Sequence, residues 1–258
     1  MAHMSAVHLI RHGVIVELRL DNPDKMNAFT VVMLEQLAGY LEAVERDASV
    51  AAVMLTAEGD KAFCTGADIN GWGDLSPTEF ARHWVRDGHR IFDRLARLSK
   101  PTIAVLTGHA FGGGLELAAA CDVRVMRASA SLALPEAGVG IVPGWSGTQR
   151  LMRLLPEPMV KEMALFGHRI TAQRALACGF ASAIDDDPRS AAMTLLARAC
   201  TLSPRAVEIS KSMIHAAQNE DRAAMVEALG SAAIAATADR AEGVAAFREK
   251  RKPDFSGQ

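Results

Sequence analysis

One pattern limits the fold more than any other: an apolar run of strand length, then a glycine-bearing polar loop, then helical periodicity, repeated along the first half of the chain. "VIVELRL", Val14 to Leu20, alternates as a half-buried strand does. Asn22-Pro23-Asp24 breaks it, and a helix begins near Thr30 and runs to Arg46. "VAAVMLTAEG" is a continuous apolar run that opens into the loop "DKAFCTGADING". A helical stretch from Thr78 to Leu98 stops at Lys100-Pro101, because proline pushes the preceding residue out of the helical region. "TIAVLTGHAFGGG" then supplies a third apolar strand feeding three glycines. Unbroken apolar runs belong to strands covered on both faces, so the alternation predicts an α/β layout with largely buried strands. "CDVRVMRASASLALPEAGVG" reads as further strands, and Pro156 onward as mainly helical. From Arg189 the chain is alanine-rich and helical, interrupted at Ser203-Pro204. This shift divides it into a core over 4–199 and a C-terminal helical region over 200–258.

The charges nearly balance, 28 basic against 30 acidic, which argues against nucleic acid or an anionic membrane as the main partner. Cys64, Cys121, Cys178 and Cys200 lie far apart with no C-x-x-C pair. That excludes a zinc ribbon, a redox dithiol and a secreted disulfide framework, and fits a reducing cytoplasm. No window approaches the ~20 apolar residues of a membrane span, and the start carries no signal-peptide core. Met1 to His3 are expected to be a leader added before a natural start at Met4. No His or Cys cluster at ligand spacing suggests a metal.

The triplet in "HAFGGGLELAAACD", His109 to Asp122, needs a reason, since glycine costs chain entropy. It lacks the lysine of a phosphate-binding P-loop and the spacing of a dinucleotide fingerprint. "GWSGT" has threonine where a nucleophile elbow needs glycine. Two readings remain: a tight turn of strand against helix, or backbone N–H groups at a helix start aimed at a ligand oxygen. The second is half of an oxyanion hole, and the "CTGAD" loop is a candidate for the other half.

"KAFCTGADI", "HAFGGGLELAAACD", "LPEAGVGIVPGWSGTQRL" and "EGVAAFREKRKPDF", in this order between about Val14 and Phe255, resemble the enoyl-CoA hydratase/isomerase family, the crotonase superfamily. The resemblance implies a crotonase-like spiral of ββα turns whose C-terminal helices form a homotrimer, often doubled to a hexamer. It implies an acyl-CoA thioester substrate, with no cofactor beyond the CoA that is part of that substrate. It places the thioester oxygen on the backbone N–H groups of Ala67 and Gly113, and makes Glu116 and Glu136 the two catalytic acids of a 2-enoyl-CoA hydratase. A Δ3,Δ2-enoyl-CoA isomerase and a non-catalytic acyl-CoA binder are the alternatives.

Glu116 sits three residues after Gly113, within one turn of the expected oxyanion site, and has apolar neighbours on most faces. An unpaired buried carboxylate is costly unless it has a task. Hydration needs water at C3 and a proton at C2; Glu116 is assigned mainly as base toward the water and Glu136 as proton donor. Trp145 departs from the small residue frequent in the family and either narrows the acyl pocket or packs behind its loop. Gly144 either turns its N–H toward the catalytic water or Glu136, or merely completes a rigid turn. Lys25 and Lys61 hold family-like positions for CoA phosphates, with surface lysines as the alternative. Phe247 and Lys250 match a motif that in relatives reaches a neighbouring chain's CoA. Asn70 and Ser231 depart from a frequent lysine and aromatic, which predicts a weaker nucleotide grip. His109 is expected to be structural, Asp122 to bond locally, and Asp68 to order the oxyanion loop.

Overall fold

A strand buried on both faces needs a cover on each, and this sheet has one. The computed structural model describes residues 4–258; Met1 to His3, read above as an added leader, lie outside them. β1 (Ala6–His12) and β2 (Ile15–Asp21) form a hairpin, and α1 (Val31–Arg46) follows, N-capped by the Thr30 hydroxyl. β3 (Ala52–Ala57) and β4 (Ala62–Cys64) come next, then a continuous helical run: α2 (Pro77–Glu79), a π-helical stretch Phe80–Val85 and α3 (Arg86–Ala96). β5 (Thr102–Leu106), β6 (His109–Phe111) and α4 (Gly113–Ala120) precede β7 (Val123–Met126) and β8 (Ser131–Ala133). The remainder of this part is α5 (Gly147–Leu154), α6 (Glu157–Phe166), β9 (Ile170–Thr171), α7 (Ala172–Ala177), β10 (Ala183–Ile184) and α8 (Pro188–Ala199).

Six strands pair in the order β1-β2-β3-β5-β7-β10, parallel from β2 onward, and four in the order β4-β6-β8-β9. Successive strands therefore alternate between sheets: β3 then β4, β5 then β6, β7 then β8. Each pair gives one strand to each sheet, which is the expected ββα spiral. The run "TIAVLTGHAF", read above as one strand, is two, broken at Thr107-Gly108 where the chain crosses between sheets. Val53 and Leu55 point to the main core, with Phe29, Leu37 and Leu106. Met54, Ile103 and Val125 point to a second apolar layer with Ala192 and Leu196 of α8. The two layers explain why β3 and β5 read as unbroken apolar runs.

That second layer also takes in Glu17, whose side chain is fully buried. Burial alone would raise its pKa. Hydrogen bonds from Arg189, Arg19, Thr56 and His12 outweigh it and hold the carboxyl at about 2. This cluster ties α8 to β2.

The chain divides into a unit ending at Val207 and a second spanning Glu208–Gln258. α9 (Pro204–Ala217) runs through the boundary; α10 (Arg222–Ala235) and α11 (Ala238–Glu249) follow. Within the second unit the last residues fold back on α11: Asp239 accepts from the Ser256 and Gly257 amides, and Arg251 pairs with Glu242. No helix among the described residues is long and apolar enough to cross a membrane.

Candidate active site

β4, β6 and β8 are neighbours and parallel, so the loops leaving their C-terminal ends emerge side by side. These loops are Thr65–Asp68, the glycine triplet, and Leu134–Glu136. Carboxyl ends of parallel strands are where α/β sheets bind ligands.

The first loop is held by Phe29. Its N–H donates to the Gly66 carbonyl (2.8 Å) and its carbonyl accepts from the Asp68 N–H (2.8 Å). In an extended chain alternate residues face opposite ways, so the Ala67 N–H points away from Phe29. Asp68 accepts from the Asn70 amide (3.1 Å) and from Lys25 Nζ (2.6 Å). Burial raises its pKa, but these bonds leave it below the usual value. Asp68 thus orders the loop as expected.

The second loop turns at Gly112, whose φ of +50° suits glycine and whose N–H donates to Ala133 of β8. Gly113 opens α4, so its N–H has no carbonyl one turn back to accept it. A Cβ on Gly114 would lie 2.1 Å from the Cys64 carbonyl oxygen: α4 starts directly against β4, and glycine alone permits that approach. The same approach brings the two loops together, with the Gly113 nitrogen 3.3 Å from where a Cβ on Gly66 would be. The triplet thus makes a tight turn of strand against helix, and its middle glycine lines a cavity.

Glu116 is 2 % exposed, and its Oε1 accepts N–H bonds from Trp145 (2.8 Å) and Gly147 (2.7 Å). Burial raises its pKa; the amides of Gly147, Trp145 and Gly144 and the charge of Arg150 oppose the rise. Glu136 begins a 3-10 turn, Glu136–Val139, where the sequence read as strand. Its Oε2 is buried with no hydrogen-bond partner among the described residues. Burial pushes its pKa up to about 7, and the charge of Glu116 adds to the rise against the residue's own amide. Ala67, Gly113, Glu116, Glu136, Gly144 and Trp145 all line one cavity of ≈ 170 Å³, whose remaining wall is mainly apolar and aromatic.

The other candidates are placed as follows. Lys25 is half-exposed and paired with Asp68, and Lys61 is exposed. Asn70 bonds the Asp68 carboxyl, and Ser231 lies in α10. Phe247 is 86 % exposed at the end of α11, and Lys250 caps that helix in the left-handed region. His109 Nδ1 lies 3.0 Å from Ser131 Oγ, and burial, then Arg169, lowers its pKa: a structural histidine. Asp122 bonds Thr102, twenty residues away on the neighbouring strand. Sequence reasoning missed Gly147, which anchors Glu116, and the Ser146–His89 contact (2.7 Å) that holds Ser146 at φ +75° beside it.

The sequence profile described as enoyl-CoA hydratase/isomerase matches residues 11–258. A mitochondrial enoyl-CoA hydratase of Pongo abelii is 37% identical over 262 residues, covering 96% of this chain and 86% of its own. A crotonyl-CoA hydratase of Syntrophomonas wolfei is 36% identical over 246 residues, covering 92% and 93%. The crystal structure of an enoyl-CoA hydratase from Bacillus anthracis has a TM-score of 0.80 at 32% identity, covering 98% of this chain and 99% of that one. A profile match over nearly the whole chain, joined to relatives this similar end to end, means that this protein belongs to the enoyl-CoA hydratase/isomerase family.

Proposed function

We propose that this protein is an enoyl-CoA hydratase that adds water across the 2,3-double bond of a 2-enoyl-CoA thioester. The observation that carries the reading is the meeting of two buried carboxyl groups and two helix-start or loop amides in one apolar cavity. The Ala67 and Gly113 N–H groups receive the thioester oxygen. As negative charge builds there, such preorganised donors contribute about 3 kcal/mol each in other systems. Glu116, its carboxylate steadied by amide bonds, takes a proton from water as the oxygen attacks C3. The C2=C3 electrons move toward C1, giving an enolate on the amides. Glu136, neutral near its pKa of about 7, gives its proton to C2. The pair ends with the proton on Glu116 instead of Glu136 and resets by exchange, as coupled carboxylates do.

A Δ3,Δ2-enoyl-CoA isomerase needs a single group that removes and returns a proton, and Glu136 alone would suffice for it. The anchoring of Glu116 by the Trp145 and Gly147 amides favours hydration, because isomerisation gives that carboxylate no work. A bare acyl-CoA binder would give neither acid a task. The second unit leaves Ile214, Val226, Ile234 and Phe247 exposed in the single chain, a surface that supports assembly into a trimer or hexamer, to be tested by mass in solution. Purified protein given crotonyl-CoA is expected to consume the enoyl absorbance and yield the 3-hydroxyacyl thioester. Conversion of 3-enoyl thioesters with no water added would replace this reading with the isomerase.

A further inference from the structure

Trp145 is 3 % exposed yet forms part of the cavity wall, and both of its edges are seated on glycines. A Cβ on Gly113 would lie 2.8 Å from Cε3 and Cζ3, so the benzo edge rests against a glycine that itself lines the cavity. A Cβ on Gly88 of α3 would lie 2.2 Å from Nε1, so the pyrrole edge fills the place of a side chain there. The indole thus spans the whole gap between α4 and α3. Its Nε1 donates to the Trp84 carbonyl (3.2 Å), within the π-helical stretch, a distortion frequent at functional sites. Phe92 packs at 5.1 Å and 72°, Trp84 at 5.3 Å and 50°, and Phe29 at 6.2 Å and 81°. A ring held on this many sides does not swing away to admit a ligand.

Resting on the hydratase reading, we propose that Trp145, made possible by Gly88, closes the far end of the acyl cavity and restricts this enzyme to short 2-enoyl groups. With the thioester oxygen on the Gly113 amide, the acyl chain leaves C1 beside the indole and meets it within a few carbons. The indole takes up the wall of this ≈ 170 Å³ cavity where a longer chain would run, so the room beside it suits only the first few acyl carbons. Gly88 and Trp145 are a matched pair, one side chain missing where the other is oversized.

The test is a chain-length series of 2-enoyl-CoA thioesters, four to ten carbons, against wild type, Trp145→Ala, Gly88→Ala and the double variant. Wild type is expected to lose on the order of tenfold or more in kcat/KM beyond six carbons, since one methylene without room costs at least about that much. Trp145→Ala flattens this drop. Gly88→Ala, whose methyl strikes the indole, lowers Tm and the four-carbon rate; in the Trp145→Ala background the same methyl meets no ring, and the Tm penalty disappears. Trp145→Phe gives an intermediate profile and serves if the alanine variant does not fold. Equal hydration of four- and ten-carbon substrates by wild type leaves the hydratase reading standing and overturns this inference. So does a wild-type profile in Trp145→Ala or Trp145→Phe, or a Gly88→Ala penalty that persists without the indole. Hydration of no enoyl thioester of any length would instead remove the underlying reading.

Discussion

Replacing Glu136 by Gln tests the site through stability as well as rate. Burial and the neighbouring Glu116 charge raise the Glu136 pKa from an ordinary 4.5 to about 7, so the folded protein keeps a proton that the unfolded chain has released. A group shifted upward contributes stability that is fully present below the unfolded pKa and is lost as pH rises through the folded one. At ~1.4 kcal/mol per pH unit, the rise from 4.5 to about 7 makes wild type about 3 kcal/mol less stable relative to Glu136→Gln above neutrality than near pH 4. Glutamine keeps the shape and has no charge to bury. Urea unfolding of both proteins at matched concentration, from about pH 4 to about pH 9, should show curves that separate as pH rises from 4.5 to about 7 and keep that gap above it, with the variant the more stable at the alkaline end. The same substitution should lower hydration on the order of 100-fold or more by removing the proton donor, and wild-type activity should decline as pH rises past about 7. Parallel stability curves, or a variant as active as wild type, would refute the assignment of Glu136 as a buried acid held neutral for proton donation.

Glu116→Gln keeps an oxygen for the Trp145 and Gly147 amides, so the fold should survive with Tm little changed while hydration falls on the order of 100-fold or more; near-normal turnover would displace Glu116 as base. Gly114→Ala forces a methyl onto the Cys64 carbonyl, with an expected loss of about 1–3 kcal/mol or more in chemical denaturation; unchanged stability would mean that the two loops are not in contact. Glu17→Gln breaks the bond network that ties α8 to β2, with an expected cost of about 3–5 kcal/mol. In wild type, Glu17 lends stability that is present above about 4.5 and is lost as pH falls through about 2; acid unfolding should shift when it is replaced.

The long buried strands are legible in the chain because both of their faces are covered, so β3 and β5 show as apolar runs. The three-residue strands β4 and β6 are not, since so short a piece has no periodicity to display, and the break at Thr107-Gly108 is set by the second sheet. Glu17 in "VELRL" takes a polar position in an alternating pattern, yet it is buried because Arg189, 172 residues on, comes to meet it. Glu116 is readable as a buried acid from its neighbours. Its anchoring is not, because the amides that hold it lie 29 and 31 residues away on a loop whose path depends on Ser146 in the left-handed region. Trp145 is visible as an oversized residue, while its partner Gly88 is an unremarkable glycine in a helix until the two are seen edge to edge.

The central claim is that two backbone amides, those of Ala67 and Gly113, polarise the carbonyl of a bound acyl thioester. Butanoyl-CoA carrying carbon-13 at the carbonyl is saturated and cannot be hydrated, so its infrared difference spectrum on the protein reads that bond directly. The carbonyl band is predicted to move to lower frequency on binding, as it does when donors draw charge onto the oxygen. A bound ligand whose carbonyl absorbs where it does in water would contradict the account.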